Sequence, residues 1–296
     1  MSLPGAFARL LRSADSRRAA FAALGRFSAV LSLGVVVAGL LVLSGCSAGK
    51  DKENYVERPV DSIYNNAMAL MKREKYKKAA KEFEEVERQH PYSTWASRAL
   101  VMAAYSYYEA NKYDEAILAA KRYIALHPGG ADAAYANYLV AASQYEQITD
   151  VGRDQKVTRE ALKSLEEVVR KFPDSDYAKD AKLKIDLARD HLAGKEMEIG
   201  RYYIKKKAYL SAINRFKVVV KKYQTTTHIE EALMRLTELY MTLGITSEAQ
   251  TAAAVLGHNY PGSKWYEDAY SLLKSGGLKP RENKASWISR AFKSVF

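Results

Sequence analysis

The sequence predicts an all-α solenoid of about five helical hairpins, and three observations carry that expectation. The first is a recurring apolar pattern. Counting from Tyr76, a small residue follows at the third place (Ala79), larger apolar ones at the seventh and tenth (Phe83, Val86) and a proline at the fifteenth (Pro91). The same offsets give Ala116, Ala120, Tyr123 and Pro128 from Tyr113, and Ala161, Leu165, Val168 and Pro173 from Thr158. From Tyr209 they give Ala212, Phe216, Val219 and Gln224, and from Thr246 Ala249, Ala253, Leu256 and Pro261. Such offsets lie on one stripe of a helix, and the proline ends it. The second observation is that each of these helices follows another apolar-striped stretch, as Arg98–Glu109 precedes Tyr113–Leu126. The unit is therefore a helix pair. The third is composition: 48% hydrophobic residues with only 16 glycines and 7 prolines in 296 residues suit an all-helical chain. Stacked hairpins share no single core, so this length is no obstacle.

The chain divides into residues 1–45, 46–59, 60–274 and 275–296. The first stretch is basic, with Arg9, Arg12, Arg17, Arg18 and Arg26, and then apolar and uncharged from Phe27 to Leu43. That run is short for a membrane span and reads as a secretory signal peptide. It ends in Leu43-Ser44-Gly45-Cys46, which resembles the lipobox of bacterial lipoproteins, where the cysteine is acylated and becomes the new amino terminus. Cys46 is the only cysteine, so no internal disulfide competes for it. Several acyl chains anchor a protein stably. Ser47, rather than aspartate, follows the cysteine, a pattern similar to lipoproteins forwarded to the outer membrane. Residues 47–59 form a polar tether.

Helices are expected at about 62–73, 76–89, 94–109, 113–126 and 131–148, then a loop from Thr149 to Val157 inserted before the second helix of the third pair, which runs to Lys171. Helices near 176–191 and 195–206 lead into 209–224. Residues 228–243 and 246–259 form the fifth hairpin, and Ser263–Leu273 a capping helix. Gly276, Gly277 and Pro280 break the chain. The last segment, from Glu282, places Trp287, Ile288, Ala291, Phe292 and Val295 on one side. It is read as a flexible or amphipathic tail that lies on the membrane surface through Trp287 and Phe292, docks on a partner helix, or stays disordered.

Little in the chain suggests chemistry. His90 and His127 are separated by the repeat period and not by metal-ligand spacing, and the other histidines are scattered. No glycine-rich phosphate loop or nucleophile elbow occurs, and acidic pairs such as Glu84-Glu85 sit on polar helix faces. No catalytic site, metal or cofactor is expected. The formal charge of +12 falls partly in the leader, and the lysines that follow interleave with glutamates, the pattern of solvated helix faces rather than of a nucleic-acid interface.

The repeat resembles the tetratricopeptide repeat, a helical hairpin of about 34 residues. That resemblance implies a concave side lined by the first helix of each hairpin, which would present Tyr64, Met68, Met71, Lys72, Arg98, Tyr105 and Tyr108 to an extended peptide ending in an aromatic residue or a carboxylate. A narrower resemblance rests on Arg153-Asp154-Gln155, Phe172-Pro173-Asp174-Ser175-Asp176-Tyr177-Ala178, Gly200-Arg201-Tyr202-Tyr203-Ile204-Lys205-Lys206-Lys207-Ala208-Tyr209 and Ala212-Ile213-Asn214-Arg215. With the lipobox, these stretches resemble the BamD family of β-barrel assembly lipoproteins. The resemblance implies a non-enzymatic scaffold on the periplasmic face of the outer membrane. Its C-terminal repeats would bind the periplasmic domains of BamA, alongside other assembly-machine lipoproteins, and its N-terminal repeats would receive unfolded barrel precursors. Arg215 matches the family arginine linked to the BamA contact. Another envelope scaffold, pilotin-like for a secretin, is the alternative; a cell-wall hydrolase or a nucleic-acid binder fits less well.

Overall fold

The computed structural model describes residues 57–293, so the readings of the signal peptide, Cys46, most of the tether and Val295 lie outside the described residues. The described elements are all helices. They run α1 (Val60–Lys72), α2 (Tyr76–Gln89), α3 (Thr94–Glu109), α4 (Tyr113–Leu126), α5 (Ala133–Glu146) and α6 (Lys156–Lys171). Then follow α7 (Asp176–Lys205), α8 (Tyr209–Lys222), α9 (Ile229–Thr242), α10 (Thr246–Asn259), α11 (Lys264–Ser275) and α12 (Trp287–Lys293).

The even helices α2 to α10 carry the repeated stripe, and every stripe residue faces inward. Ala79, Ala116, Ala161, Ala212 and Ala249 are fully buried, as are Phe83, Ala120, Leu165, Phe216 and Ala253. A methyl group at that first position lets the two helices of a hairpin approach closely, and the residues one and two turns on, larger in most of the helices, fill the seam. All five helices stop alike: the amide four residues past the last stripe position donates to its carbonyl, from His90 to Val86, His127 to Tyr123, Phe172 to Val168, Tyr223 to Val219 and Tyr260 to Leu256. The capping residue leaves the helical region (φ −134°, ψ 58° at His90; φ −131°, ψ 40° at Tyr223), clear of the α conformation that a following proline disfavours. Tyr223 does so without a proline, so Gln224 leaves the turn unchanged.

The turn inside each hairpin repeats too. Two residues before the stripe's origin, Glu74, Asn111, Lys207 and Gly244 have φ of 56°, 55°, 57° and 73°. Each is followed by an amide that donates five residues back, Lys75 to Leu70, Lys112 to Tyr107, Ala208 to Tyr203 and Ile245 to Tyr240. This is the Schellman closure, which satisfies carbonyls left open at a helix end. In the third hairpin the 149–155 insertion takes its place. There the buried Gln155 ties the loop shut, its Nε2 donating to the carbonyls of Asp150, Val151 and Arg153 at 3.4, 3.2 and 3.0 Å.

Two expectations are corrected. The helices expected at 176–191 and 195–206 are one 30-residue helix, α7, roughly 45 Å long. Gly194 lowers helix propensity by about 1 kcal/mol, but Leu192, Ala193, Gly194 and Met197 are all buried, and packing overrides the local preference. The first half of α7 closes the third hairpin and the second half opens the fourth. Gly200 there lies against Phe216 of α8, where an added Cβ would come within 2.5 Å of the ring.

The second correction concerns the tail, which neither floats nor offers its apolar face to a membrane. After Gly277 the chain folds back and seats α12 between α8 and α10. Ile288 and Phe292 are buried, and Trp287 Nε1 donates to the Tyr240 hydroxyl at 3.2 Å. Buried Gln224 donates through Nε2 to the carbonyls of Val220 (2.7 Å) and Ala291 (2.9 Å), joining α8 to the tail. The residue that broke the repeat pattern is the tail's latch.

Because Glu74 and Lys207 hold a left-handed backbone that glycine adopts without strain, Lys207→Gly is expected to stabilise the chain by about 1 kcal/mol in urea unfolding. Gly200→Ala, set against an immobile Phe216, is expected to cost about 1–3 kcal/mol.

Candidate peptide-binding groove

The helices form two layers. The first helices of the hairpins, α1, α3, α5 and α7, touch one another in succession, whereas α2, α4 and α6 meet chiefly their chain neighbours. The odd helices are thus the inner layer.

A ladder of tyrosines crosses that inner layer over three helices. Tyr105 on α3 lies 6.4 Å, centroid to centroid, from Tyr135 on α5; Tyr135 lies 5.0 Å from Tyr177 on α7; and Tyr177 stacks on Tyr138 at 5.3 Å. All four residues are half-buried. Tyr108 flanks the ladder, its ring 5.8 Å from Tyr113 and its hydroxyl donating to Glu146 at 3.4 Å. At the far end the Tyr138 hydroxyl donates to Asp180 Oδ2 at 2.6 Å, Lys184 donates to the same oxygen at 2.7 Å, and the Lys184 ammonium sits 5.6 Å from the Tyr145 ring centre.

The electrostatics are those of neutral aromatic donors. Burial raises the Tyr135 phenol, with its tyrosine neighbours and Glu109 adding to the shift. Burial, then the Glu146 carboxylate, pushes Tyr108 up to about 12. These hydroxyls stay protonated throughout the physiological range. Burial alone would raise Asp180, but hydrogen bonds from Lys184 and Tyr138 hold it below the usual carboxylate range. The surface therefore offers ring faces and neutral phenols, edged by the paired Asp180 and Lys184 and by Glu146. Such a surface suits an extended segment of aromatic and polar residues.

The residues expected here from the sequence divide. Tyr105 and Tyr108 belong to the ladder. Tyr64 does not: it is buried in the first hairpin, 5.3 Å from the Phe83 ring and 4.7 Å from Trp95, where an aromatic fills the seam between α1, α2 and α3. Met68 and Met71 are half-buried against the same cluster, with Ser106 Oγ 3.8 Å from the Met71 sulfur. Lys72 and Arg98 are exposed beside it. Tyr135, Tyr138 and Tyr177 were missed. The spacing of Tyr135 and Tyr138, three apart on one helix face, was the available signal, and Tyr145 stands in the third hairpin where Tyr108 stands in the second.

Arg215 lies well apart, on α8, paired with Glu196 of α7 at 3.2 Å and with 41% of its side chain exposed. Nearby, Arg201 pairs with Glu231 of α9 at 2.8 Å. Tyr202 and Leu210 are exposed around the α7–α8 turn.

Comparison with known proteins places this architecture. The profile of the YfiO family, described as outer membrane lipoprotein, matches residues 56–256. The chain is 49% identical over 252 residues to the outer membrane protein assembly factor BamD of Caulobacter vibrioides, covering 83% of this chain and 82% of that one. It is 50% identical over 235 residues to the BamD of Rickettsia prowazekii, covering 79% and 93%. The chain belongs to the BamD family. A thermophilic TPR protein of Thermus thermophilus is also similar, at 18% identity and a TM-score of 0.34, covering 73% of this chain and 100% of that one. That likeness is too slight to add to the fold seen directly. In this BamD-family chain, the narrower motifs read from the sequence have structural work: Gln155 closes the insertion loop, Ser175 caps α7 by accepting from the Ala178 amide, and Gly200 admits Phe216.

Asp180 supplies a pH test. Its folded value is depressed, so its contribution to stability is present above the unfolded value of about 3.9 and lost as pH falls through the folded one. Asp180→Asn is expected to lower Tm at pH 7, and the difference from the parent chain is expected to shrink as pH falls below the ordinary carboxylate value.

Proposed function

We propose that this BamD-family chain works in outer membrane protein assembly as a non-enzymatic scaffold, its inner tyrosine ladder receiving extended segments of unfolded β-barrel precursors. The ladder across α3, α5 and α7 is the observation that carries this reading. An unfolded barrel strand carries alternating aromatic and polar side chains and unpaired backbone groups that aggregate if left exposed. Ring faces take its apolar side chains, and hydroxyls that stay neutral take its polar groups without trapping it as an ion pair would. Rigid helices hold these groups in register, so little ordering is lost when the peptide docks.

The C-terminal half holds the machine. Arg215, half-exposed on α8 and paired with Glu196 of α7, is the contact for the periplasmic domains of BamA. Other assembly lipoproteins join the same complex. Cys46 carries the acyl chains that hold the protein on the periplasmic face of the outer membrane. Fixing receptor and insertion machine on one scaffold raises the effective concentration of a bound precursor at the machine without further contacts. The pilotin-like alternative shares anchor and repeats but binds a secretin.

A detergent pull-down from envelopes separates the parts. Tagged wild type is expected to recover a large outer-membrane barrel protein with periplasmic domains together with precursors. Arg215→Glu is expected to lose the barrel protein and keep precursors, and Tyr135→Ala to show the reverse. Recovery of a secretin in place of that barrel protein would overturn the reading, and Cys46→Ser in the membrane fraction would overturn the anchor.

A further inference from the structure

The outer layer has a repeating structural position whose partner is missing once. Between each pair of successive even helices runs a groove floored by the odd helix between them. The floor residue sixteen places after the repeat proline, or after Gln224, points into it. In the α2–α4 groove that residue is Tyr107, whose hydroxyl donates to Glu84 of α2 at 2.8 Å, and Arg122 pairs with Glu87 across the groove at 2.6 Å. In the α6–α8 groove it is Arg189, which pairs with Glu166 of α6 at 2.8 Å. In the α8–α10 groove it is Tyr240, which accepts from Trp287 of the tail helix.

In the α4–α6 groove it is Gln144, and its side-chain oxygen is buried without a hydrogen-bond partner. A cleft of about 370 Å³ opens there, with Ile124, Val140 and Gln144 among its lining and Lys121 and Lys163 on its rims. Lys121 occupies the place of Glu84, Glu166 and Lys217, each of which is engaged: the first two in the bonds above, Lys217 with its ammonium 4.9 Å from the Trp287 ring centre. Lys121 has no ion-pair partner among the described residues. Lys163 acts on Glu167, which Lys171 already holds at 2.6 Å.

The α8–α10 groove shows what such a cleft accepts. There α12 lays Ile288 and Phe292 inward, Ser286 donates to Glu248 and the Asn283 amide donates to Thr251, while its indole reaches the floor hydroxyl. Glu248 and Thr251 occupy in α10 the places that Glu160 and Lys163, both on the open cleft, occupy in α6. We propose that the α4–α6 cleft is a docking site for an amphipathic helix of a partner protein. The guest sets apolar side chains on Ile124 and Val140, a donor on Gln144, and acidic residues against Lys121 and Lys163. The tail of a second copy is the wrong guest, since its Lys284 and Arg290 bring positive charge to a cleft rimmed by lysines. The site lies on the opposite layer from the tyrosine ladder and does not depend on the reading of that ladder.

The test places a photo-crosslinking p-benzoylphenylalanine at Lys121 in the full lipidated chain in envelopes, with exposed Lys182 as the control position, and maps the captured peptide. The expected product is one segment of another chain, with helical apolar spacing and acidic residues along one flank. It is expected to fall at least tenfold when Lys163→Glu is added, and to recover when the mapped acidic residues are changed to lysine. Gln144→Leu is expected to raise Tm by removing the orphaned oxygen, yet to reduce the product several-fold. A product with this chain itself, with lipid alone or with a basic or non-helical segment overturns the proposal, as does yield no higher than at Lys182 or indifference to Lys163→Glu.

Discussion

The close approach of paired helices across five buried alanines is the constraint on which the remaining structure depends. At Ala79, Ala116, Ala161, Ala212 and Ala249 the methyl group is fully buried, and a larger side chain in so filled a seam would increase the distance between the helices. That distance fixes where the next residues of the stripe meet the facing helix, and the left-handed turns at Glu74, Asn111, Lys207 and Gly244 fix the angle at which each pair is joined. A hairpin so defined has one apolar face left over, and stacking is the way to cover it. Stacking brings α1, α3, α5 and α7 into one layer, and residues far apart in sequence become neighbours there. The tyrosine ladder is a product of that layering.

The two layers have different chemistry because they have different neighbours. On the outer helices most charge is committed locally, in pairs such as Arg122 with Glu87 and Arg189 with Glu166, each worth little at a solvated surface but enough to close a groove to guests. On the inner layer the ladder itself is made of phenols raised by burial, which carry no charge, and the charges at its edges are held in bonds such as those of Lys184 and Tyr138 to Asp180. A surface of that kind can hold many sequences loosely, as the proposed reception of varied precursors requires.

What the sequence disclosed follows from how local each cause is. The stripe, the terminal proline and the hairpin pairing are short-range and were legible in full. Of the turn residues, Asn111 and Gly244 advertise a left-handed conformation, whereas Glu74 and Lys207 do not, since the neighbouring helices impose it on them. Gly194 suggested a break because its packing partners are distant in sequence. Tyr64 and Tyr105 were indistinguishable as aromatic residues on first helices; only the three-dimensional neighbours, Phe83 and Trp95 for one and Tyr135 for the other, separate core from groove. The docked tail had a single sign in the sequence, the replacement of the repeat proline by Gln224, whose buried amide has meaning only once α12 is beside it.

Reception of the precursor is assigned here to the inner tyrosines and not to the outer lysines. Its most direct measurement is a titration of the purified full chain in detergent with a fluorescent peptide copying the last strand of an outer-membrane barrel, ending in phenylalanine with a free carboxylate. Tyr135→Ala is expected to weaken binding about tenfold, in line with the loss of a ring contact of roughly 1–1.5 kcal/mol, while Lys121→Glu on the outer layer leaves it unchanged. Equal binding by wild type and Tyr135→Ala, or a loss that follows Lys121→Glu instead, would contradict the account.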